Sequence, residues 1–451
     1  MSGEAPVLRL PPPGFLADPA LCAVLDAVPE ARVVGGAVRD ALLGLAVADV
    51  DLATPRRPEE VVAALRRAGL QAVPTGLAHG TVTAVAGGRG FEVTTLRRDV
   101  ETDGRHAVVA FTSDWRADAA RRDFTLNALS MTRDGAVFDY WGGLADLRAG
   151  VVRFVGDPAA RIAEDYLRIL RFFRFFARYG RVPPDAATLA ALRAGMPGLA
   201  QLAAERVWKE LAGLLGTPDP RAAVALMAEL GVLGAVLPEG TAPARLARLV
   251  AAGAPGDPLL RLAALAEGDP EALAARLRLS SAERSRLLAL RSGPVPAPGA
   301  DDDALRRMLA GLDPRTDAAV LAGRVWLAEA GEMRPDDPRR NDRDRSGPQG
   351  GAAQGGAARW ADLRARLAAL PRPVFPLAGR DALRLGVPPG PAVGALLGAV
   401  RDWWLAGGCT ADRSACMARL AALAAPGAGT STGTEAPAGA RPPPPPTARA
   451  G

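Results

Sequence analysis

Residues 33–54, VVGGAVRDALLGLAVADVDLAT, constrain this chain more than any other stretch, because they predict a strand, a glycine turn, a short helix and a second strand in that order. A β-branched pair runs into Gly35-Gly36, an amphipathic segment follows from about Ala37 to Leu43, and alternation returns at Asp49 to Thr54. Strand side chains alternate between faces, so Asp49 and Asp51 are expected on one face, with Val50 and Leu52 on the other. Two adjacent carboxylates suit Mg²⁺, a hard cation commonly held by one or two carboxylates together with a substrate's phosphates. Glycines at 35 and 36 allow close approach of the backbone to a ligand, and the free N–H groups opening the helix suit a phosphate. Either device alone is ordinary, since turn chemistry explains paired glycines and surfaces carry DxD by chance. Together with Arg39 they predict one site for a metal-bound nucleoside triphosphate.

The chain has 451 residues, 49% of them hydrophobic, which is more than one domain at roughly 150 residues each and ample for packed cores. Lysine occurs once, at Lys209, so nearly all of the 55 basic residues are arginine, and the net charge of +6 is compatible with an RNA partner without requiring one. Cys22, Cys409 and Cys416 are an odd number without metal-ligand spacing, which points to a reducing cytoplasm and away from disulfide or zinc architecture. The N-terminal MSGEAPVLRLPPPG lacks the pattern of a secretory signal, and no apolar run approaches the roughly 20 residues of a membrane span.

In chain order, residues 1–31 form a proline-rich lead and a helix from about Pro19 to Val28. From 32 to 155 short runs predict strands (RVVGG, DVDLAT, TVTAVAG, FEVTTLR, VVAF, AVFDYWGG, VVRFVG), with helices near 37–43, 58–68 and 116–129. The polar stretch 99–120 is expected to be a mobile loop over the site. Beyond 156 the periodicity is helical: 158–179, 185–194, 201–215, 220–230, 243–252, 257–266, 270–276, 281–291, 302–311 and 315–330. Residues 334–358 are charged and then Gly- and Gln-rich, a disordered insertion by composition; 359–424 returns to helix, and 426–451, with five consecutive prolines, is a flexible tail.

Two further motifs carry chemistry. In RRDFTLNA (121–128), Arg121 or Arg122 reaches triphosphate oxygens, where a guanidinium matches phosphate bidentately, while Asp123 and Asn127 fix the geometry or touch a ribose. A helix start capped by Asp123 or Thr125 is the plainer alternative. In EDYLRILR (164–171), within the long helix 158–179, a turn of about 100° per residue gathers Arg168, Arg171, Arg174 and Arg178 on one side, and Ile169, Phe172, Phe173 and Phe176 on another. Asp165 and Arg168, at i and i+3, can meet one planar ligand side by side. Cytosine and adenine both present an amino donor beside a ring-nitrogen acceptor, matching a carboxylate and a guanidinium; uracil and guanine reverse that pattern. Such a pair selects C or A without a template.

GGAVRD followed by DVDLAT, then RRDFTLNA and EDYLR, together resemble the signature of the class II tRNA nucleotidyltransferase and bacterial poly(A) polymerase family, over roughly residues 30–215. The resemblance implies an α+β chain: a polymerase beta-like nucleotidyltransferase head (32–155), then an all-α neck (156–215), body (216–333) and tail (359–425). It implies template-independent addition of CCA to tRNA 3′ ends from CTP and ATP, by two-metal-ion nucleotidyl transfer with Mg²⁺ on Asp49 and Asp51. Gly35, Gly36, Arg39 and Arg122 would hold phosphates, Asp165 and Arg168 would choose the base, and Arg171 and Arg174 would line the nucleotide pocket. The helical body would bind the tRNA acceptor stem and TΨC arm by shape and phosphate contacts.

Smaller matches follow the same resemblance. TDGRH (102–106) is similar to the family's flexible loop, with Arg105 nearest to nucleotide, and DYWGGLADL (139–147) to its head-to-neck connector. ERVWKEL (205–211) is similar to a family helix and is expected to serve packing and interdomain salt bridges, and residues 379–404 resemble a C-terminal segment of bacterial members. Glu92 is either a third carboxylate or a strand residue paired with an arginine. His79 and His106 cannot build a phosphohydrolase module. Poly(A) polymerase, or an enzyme adding only CC or only A, shares every motif quoted; a catalytically inactive RNA-binding protein on this fold is the reading from another class.

Overall fold

A computed structural model describes residues 5–77, 80–102, 107–313, 316–332 and 351–425. The alternating runs of the first third pair into an eight-stranded sheet. In chain order its strands are β1 (Leu8–Arg9), β2 (Arg32–Val34), β3 (Asp51–Thr54), β4 (Gln71–Gly76), β5 (Thr81–Ala86), β6 (Arg89–Thr95), β9 (Leu129–Met131) and β10 (Ala136–Asp139), in spatial order β1-β10-β9-β2-β3-β6-β5-β4. Strand β2 pairs antiparallel with β3, which pairs parallel with β6. Strand β8 (Ala107–Phe111) falls on the expected VVAF strand and pairs with β7 (Arg97–Thr102) as a separate hairpin, most of which lies in the stretch expected to be a loop. Arg105 and both histidines lie outside the described residues.

Helix α1 (Pro19–Ala27) begins where the Asp18 carboxylate accepts the Ala20 N–H at 2.8 Å, and α3 (Pro58–Arg67) opens on a proline at its first position. Both pack on the sheet around Leu21, Val24, Leu25, Val61 and Leu65. Helix α2 (Gly36–Leu42) follows β2 directly, and α4 (Trp115–Ala120) covers Val34, Ala53 and Leu96 with Trp115. The helix expected over 116–129 stops at Ala120: Asp123 and Asn127 hydrogen-bond each other at 3.0 Å and fold the next segment into a 3-10 turn at Thr125–Asn127. Asp139, in the DYWGG turn, accepts N–H bonds from Trp141, Gly143 and Leu144, opening α5 (Gly143–Ala149). The VVRFVG strand does not form. Phe154 makes only an isolated bridge to Phe124 and is consumed by an aromatic cluster in which its ring lies 4.9 Å from Phe124 and 5.8 Å from Phe172.

The helix expected over 158–179 is two helices, α6 (Pro158–Glu164) and α7 (Leu167–Tyr179), because Asp165 between them is extended at φ −156° and ψ 107°. Its carboxylate accepts the Leu167 N–H at 3.1 Å, the local competition with helix that aspartate offers. Then come α8 (Ala186–Gly195), α9 (Ala204–Leu215), α10 (Arg221–Glu229), α11 (Val232–Val236), α12 (Pro243–Ala251), α13 (Pro258–Leu265), α14 (Pro270–Arg276), α15 (Ser281–Arg291), α16 (Asp302–Gly311) and α17 (Ala319–Glu332). The last helices are α18 (Gly351–Ala369), α19 (Gly379–Arg384), α20 (Pro391–Ala406) and α21 (Arg413–Ala424). Helix α18 begins at Gly351, inside the segment expected to be disordered; 333–350 and 426–451 lie outside the described residues.

The described residues fall into two compact units, one within Met1–Gly293 and Gly323–Gly347, the other within Pro294–Ala322 and Pro348–Gly451. The expected boundaries near 155 and 215 both lie inside the first unit. The second has its own core around Ala382, Val400, Trp404, Cys416 and Leu420, and Asp381, fully buried, accepts from Arg413 at 2.6 Å. Among the described residues no helix is long and apolar enough to cross a membrane.

Candidate functional site

The glycine turn with the start of β3, the 121–128 segment and the 164–171 segment meet at one cleft of about 470 Å³ in the first unit. Gly35, Gly36 and Arg39 line it from the β2-α2 turn, Asp51 from the start of β3, Arg122, Asp123 and Asn127 from the 121–128 segment, and Asp165, Leu167, Arg168, Arg171 and Phe175 from the neck. Arg206 on α9 closes it.

At one end the backbone turns on Gly35, whose φ of +68° is a conformation that side chains disfavour. A Cβ on Gly35 would stand 3.2 Å from Arg122 Nη1, and one on Gly36 would stand 3.4 Å from Arg39 Nη2. Gly35 therefore lets the turn sit tight against the Arg122 guanidinium, while Arg39 packs beside Gly36 at ordinary contact distance. Helix α2 has only seven residues, so the positive charge at this end comes from the arginines more than from the helix start expected to attract phosphate. Of the two arginine candidates it is Arg122 that lines the cleft. Arg121 Nε donates to Asp118 at 2.9 Å, and Arg122 Nη2 reaches the same carboxylate at 3.3 Å. Burial works to raise the Asp118 carboxyl, but the two adjacent guanidiniums outweigh it and hold it below the ordinary range.

Strand β3 begins at Asp51, so Asp49 lies in the segment before it and not on the strand as expected. Leu52 pairs with Val93, which sets Asp51 and Glu92, the residues preceding each, at the same register on adjacent strands. Asp51 is solvent-accessible, yet the cleft walls desolvate it and the charges of Asp49 and Glu92 repel it, pushing its carboxyl up against the opposing pull of Arg122. No three His, Cys, Asp or Glu side chains among the described residues form a ready metal cage. Mutually repelling carboxylates at the edge of an arginine-lined cleft fit a hard cation that fills its shell with phosphate oxygens and water.

At the other end the base-reading candidates are already engaged. One Asp165 oxygen accepts the Leu167 N–H, and the other accepts from Arg206 Nη2 at 2.7 Å. Arg168 is held by Glu164 and by the Arg161 carbonyl at 2.7 Å, and its own N–H donates to the Asp165 carbonyl at 3.0 Å. The break in the helix replaces the expected i, i+3 spacing, but both side chains still line the same cavity. Between the two ends Arg171 grips Asp123 with Nε, at 2.8 Å, and Nη2. Asp123 is buried, which alone would raise its carboxyl; Arg171 and Asn127 bring it below the usual carboxylate range. Arg174 departs from expectation: it does not line the cleft, because the buried Glu210 carboxylate on α9 draws its Nε to 2.6 Å.

Sequence reasoning missed Arg206 as a lining residue. It sits in ERVWKEL, where alternating charge and apolar spacing read as packing, and only the fold brings it to Asp165. Two other charged residues of that segment form ion pairs, the exposed Glu205 with Arg278 and the buried Glu210 with Arg171 and Arg174.

Residues 31–153 match the poly(A) polymerase head domain, and residues 183–242 match the probable RNA and SrmB-binding site of polymerase A. The chain is 47% identical over 206 residues to the mitochondrial CCA tRNA nucleotidyltransferase 1 of Danio rerio, covering 45% of this chain and 48% of that protein. It is 39% identical over 226 residues to the CCA-adding enzyme of Geobacillus stearothermophilus, covering 49% and 54%. The chain thus spans about half the length of the curated relatives it matches. Among solved structures, the Bacillus stearothermophilus CCA-adding enzyme in complex with CTP aligns with a TM-score of 0.66 at 27% identity, over 89% of this chain and 97% of that one. The Thermotoga maritima CCA-adding enzyme complexed with tRNA shares the fold, with a TM-score of 0.55 at 20% identity over 89% and 93%.

Proposed function

We propose, from the premise that this chain belongs to the nucleotidyltransferase family built on the poly(A) polymerase head domain, that it adds CCA to tRNA 3′ ends from CTP and ATP without a nucleic-acid template. The observation carrying the reading is that one cleft joins a carboxylate, a glycine turn packed on two guanidiniums, and an Asp/Arg pair. Relatives named as CCA-adding enzymes support it.

In this reading residues 32–155 are the catalytic head, 156–215 the base-selecting neck, 216–333 the body and 359–425 the tail. The RNA 3′-hydroxyl attacks the α-phosphate of the incoming nucleotide and pyrophosphate leaves. Asp49 and Asp51 would hold Mg²⁺, which when bound eases deprotonation of the hydroxyl and neutralises charge on the leaving pyrophosphate. Gly35 and Gly36, with Arg39 and Arg122, hold the triphosphate, Gly36 through its backbone amide and Gly35 through the turn it makes, its own N–H being donated to the Leu129 carbonyl. Asp165, oriented by the Leu167 N–H and Arg206, accepts from the amino group of C or A, and Arg168, released from Glu164, donates to the ring nitrogen. Uracil or guanine would set a carbonyl against the carboxylate, at about 1–3 kcal/mol for each unsatisfied group. The helices after the head hold the acceptor stem and TΨC arm through shape and phosphate contacts. We assign the activity to the cytoplasm on three unpaired cysteines, although the Danio rerio relative is mitochondrial; fractionation of cells expressing a tagged chain tests this.

The test incubates the purified protein with Mg²⁺, labelled nucleotides and tRNA transcripts lacking A, CA or CCA, and sequences the products. Completion of each transcript to CCA and no further supports the reading. Long A tails on unrelated RNA would replace it with poly(A) polymerase activity, and arrest after CC, or addition of A alone, with a partial CCA activity.

A further inference from the structure

Arg39 lines the cleft, yet it is only 8% exposed and its guanidinium is held on several sides. Nη1 donates to Asn127 Oδ1 at 2.6 Å, and Nε donates to Asp40 Oδ1 at 2.9 Å. The guanidinium carbon lies 4.5 Å from the centroid of the Tyr179 ring and 5.4 Å from that of Phe175. The Tyr179 hydroxyl donates to the same Asp40 oxygen at 3.1 Å. Tyr179 therefore restrains Arg39 twice, through its ring face and through Asp40. Burial, opposed by Arg39 and reinforced by Asp40, raises the Tyr179 hydroxyl above its ordinary value, so it stays a donor at neutral pH.

Tyr179 belongs to none of the motifs that identify the site, and it does not line the cleft. Its place on α7 gives it leverage. The helix starts at Leu167 beside the base-reading pair and ends at Tyr179, eleven residues beyond Arg168 and so about 16 Å along the axis at 1.5 Å per residue. One helix thus carries the base-reading end of the cleft at its start and a clamp on the phosphate end at its finish.

We propose that Tyr179 is a positioning residue for the triphosphate: it fixes Arg39 against the Gly35-Gly36 turn and so registers the neck helix on the phosphate end of the cleft. This rests on the reading of the cleft as a nucleoside triphosphate site. A residue that only braced the fold would affect melting and leave nucleotide affinity alone.

The experiment compares the full chain with Tyr179→Phe, which keeps the ring and loses the hydroxyl, and Tyr179→Leu, which loses both. Incorporation is measured against CTP on transcripts lacking CCA and against ATP on transcripts ending in CC, alongside inhibition by pyrophosphate and by cytidine. The expected KM for both nucleotides rises about threefold in Tyr179→Phe and about tenfold in Tyr179→Leu, with kcat within about twofold. Pyrophosphate inhibition weakens in parallel, while cytidine, which lacks phosphates, inhibits as before. Unchanged KM in both variants, a fall in kcat alone, or equal weakening of cytidine inhibition overturns the proposal. Should Tyr179→Leu fail to fold, Tyr179→Phe decides it on the same criteria. A wild-type protein that incorporates neither C nor A would overturn the functional reading instead.

Discussion

Gly35 and Arg122 are one feature, since a side chain at 35 would crowd the guanidinium, and Arg39 packs beside Gly36 on the same turn. Beside them Asp51 is held in an environment that disfavours its charge. Its carboxyl is raised by desolvation and by Asp49 and Glu92, so the stabilisation it gives the metal-free protein is present at low pH and lost as pH rises through its folded value. Asp51→Asn is accordingly expected to raise the melting temperature in chelator at neutral pH while abolishing incorporation; a lower melting temperature would contradict the electrostatic account. Asp123 has the opposite sign. Lowered by Arg171 and Asn127, it contributes stability above the ordinary carboxylate range that is lost as pH falls through its folded value. Arg171→Ala would leave that buried charge unpaired and is expected to cost about 3 kcal/mol, read by denaturant unfolding at neutral pH, with the loss shrinking in acid. The sequence identified these residues because chemistry dictates their types. It misjudged Arg174 and overlooked Arg206 because their positions depend on Glu210 and Asp165, partners whose proximity only the tertiary fold decides.

The informative element is the break at Asp165. The pattern from 158 to 179 is helical throughout, so periodicity alone predicts one helix; a single aspartate bonding the Leu167 N–H, with Arg206 on its other oxygen, divides it. Short strands were hard to see for a different reason. Leu8–Arg9 and Leu129–Met131 have two and three residues, too few to display alternation, and they exist because β10 and β2 offer them partners. VVRFVG failed conversely, its composition suiting a strand while Phe154 found more contact among aromatic rings. The same cluster joins the head to the neck, since Phe124 precedes β9 and Phe172 is fully buried on α7. Phe172→Ala is expected to destabilise the protein by about 3–5 kcal/mol in denaturant unfolding. A loss below about 1 kcal/mol would show that the cluster contributes little to holding α7.

Across the whole molecule the cleft residues from Gly35 to Arg206 fall in one compact unit, although the sequence divided that stretch into head and neck at 155. Composition shifts there from strand to helix, which reads as a boundary, but the packing continues across it. The body and tail helices were legible as helices from their period and remained silent about RNA, because a chain with a single lysine and arginine throughout gives basic charge little power to mark a surface. The central claim is that carboxylates near β3 supply the chemistry and the start of α7 supplies the choice of base. Its most direct test offers all four nucleoside triphosphates in competition to wild type and Asp165→Ala, on tRNA lacking CCA, with the products sequenced. The account predicts C and A alone from the wild type, and entry of U or G in Asp165→Ala with nucleotidyl transfer retained; unchanged base choice in that variant would contradict it.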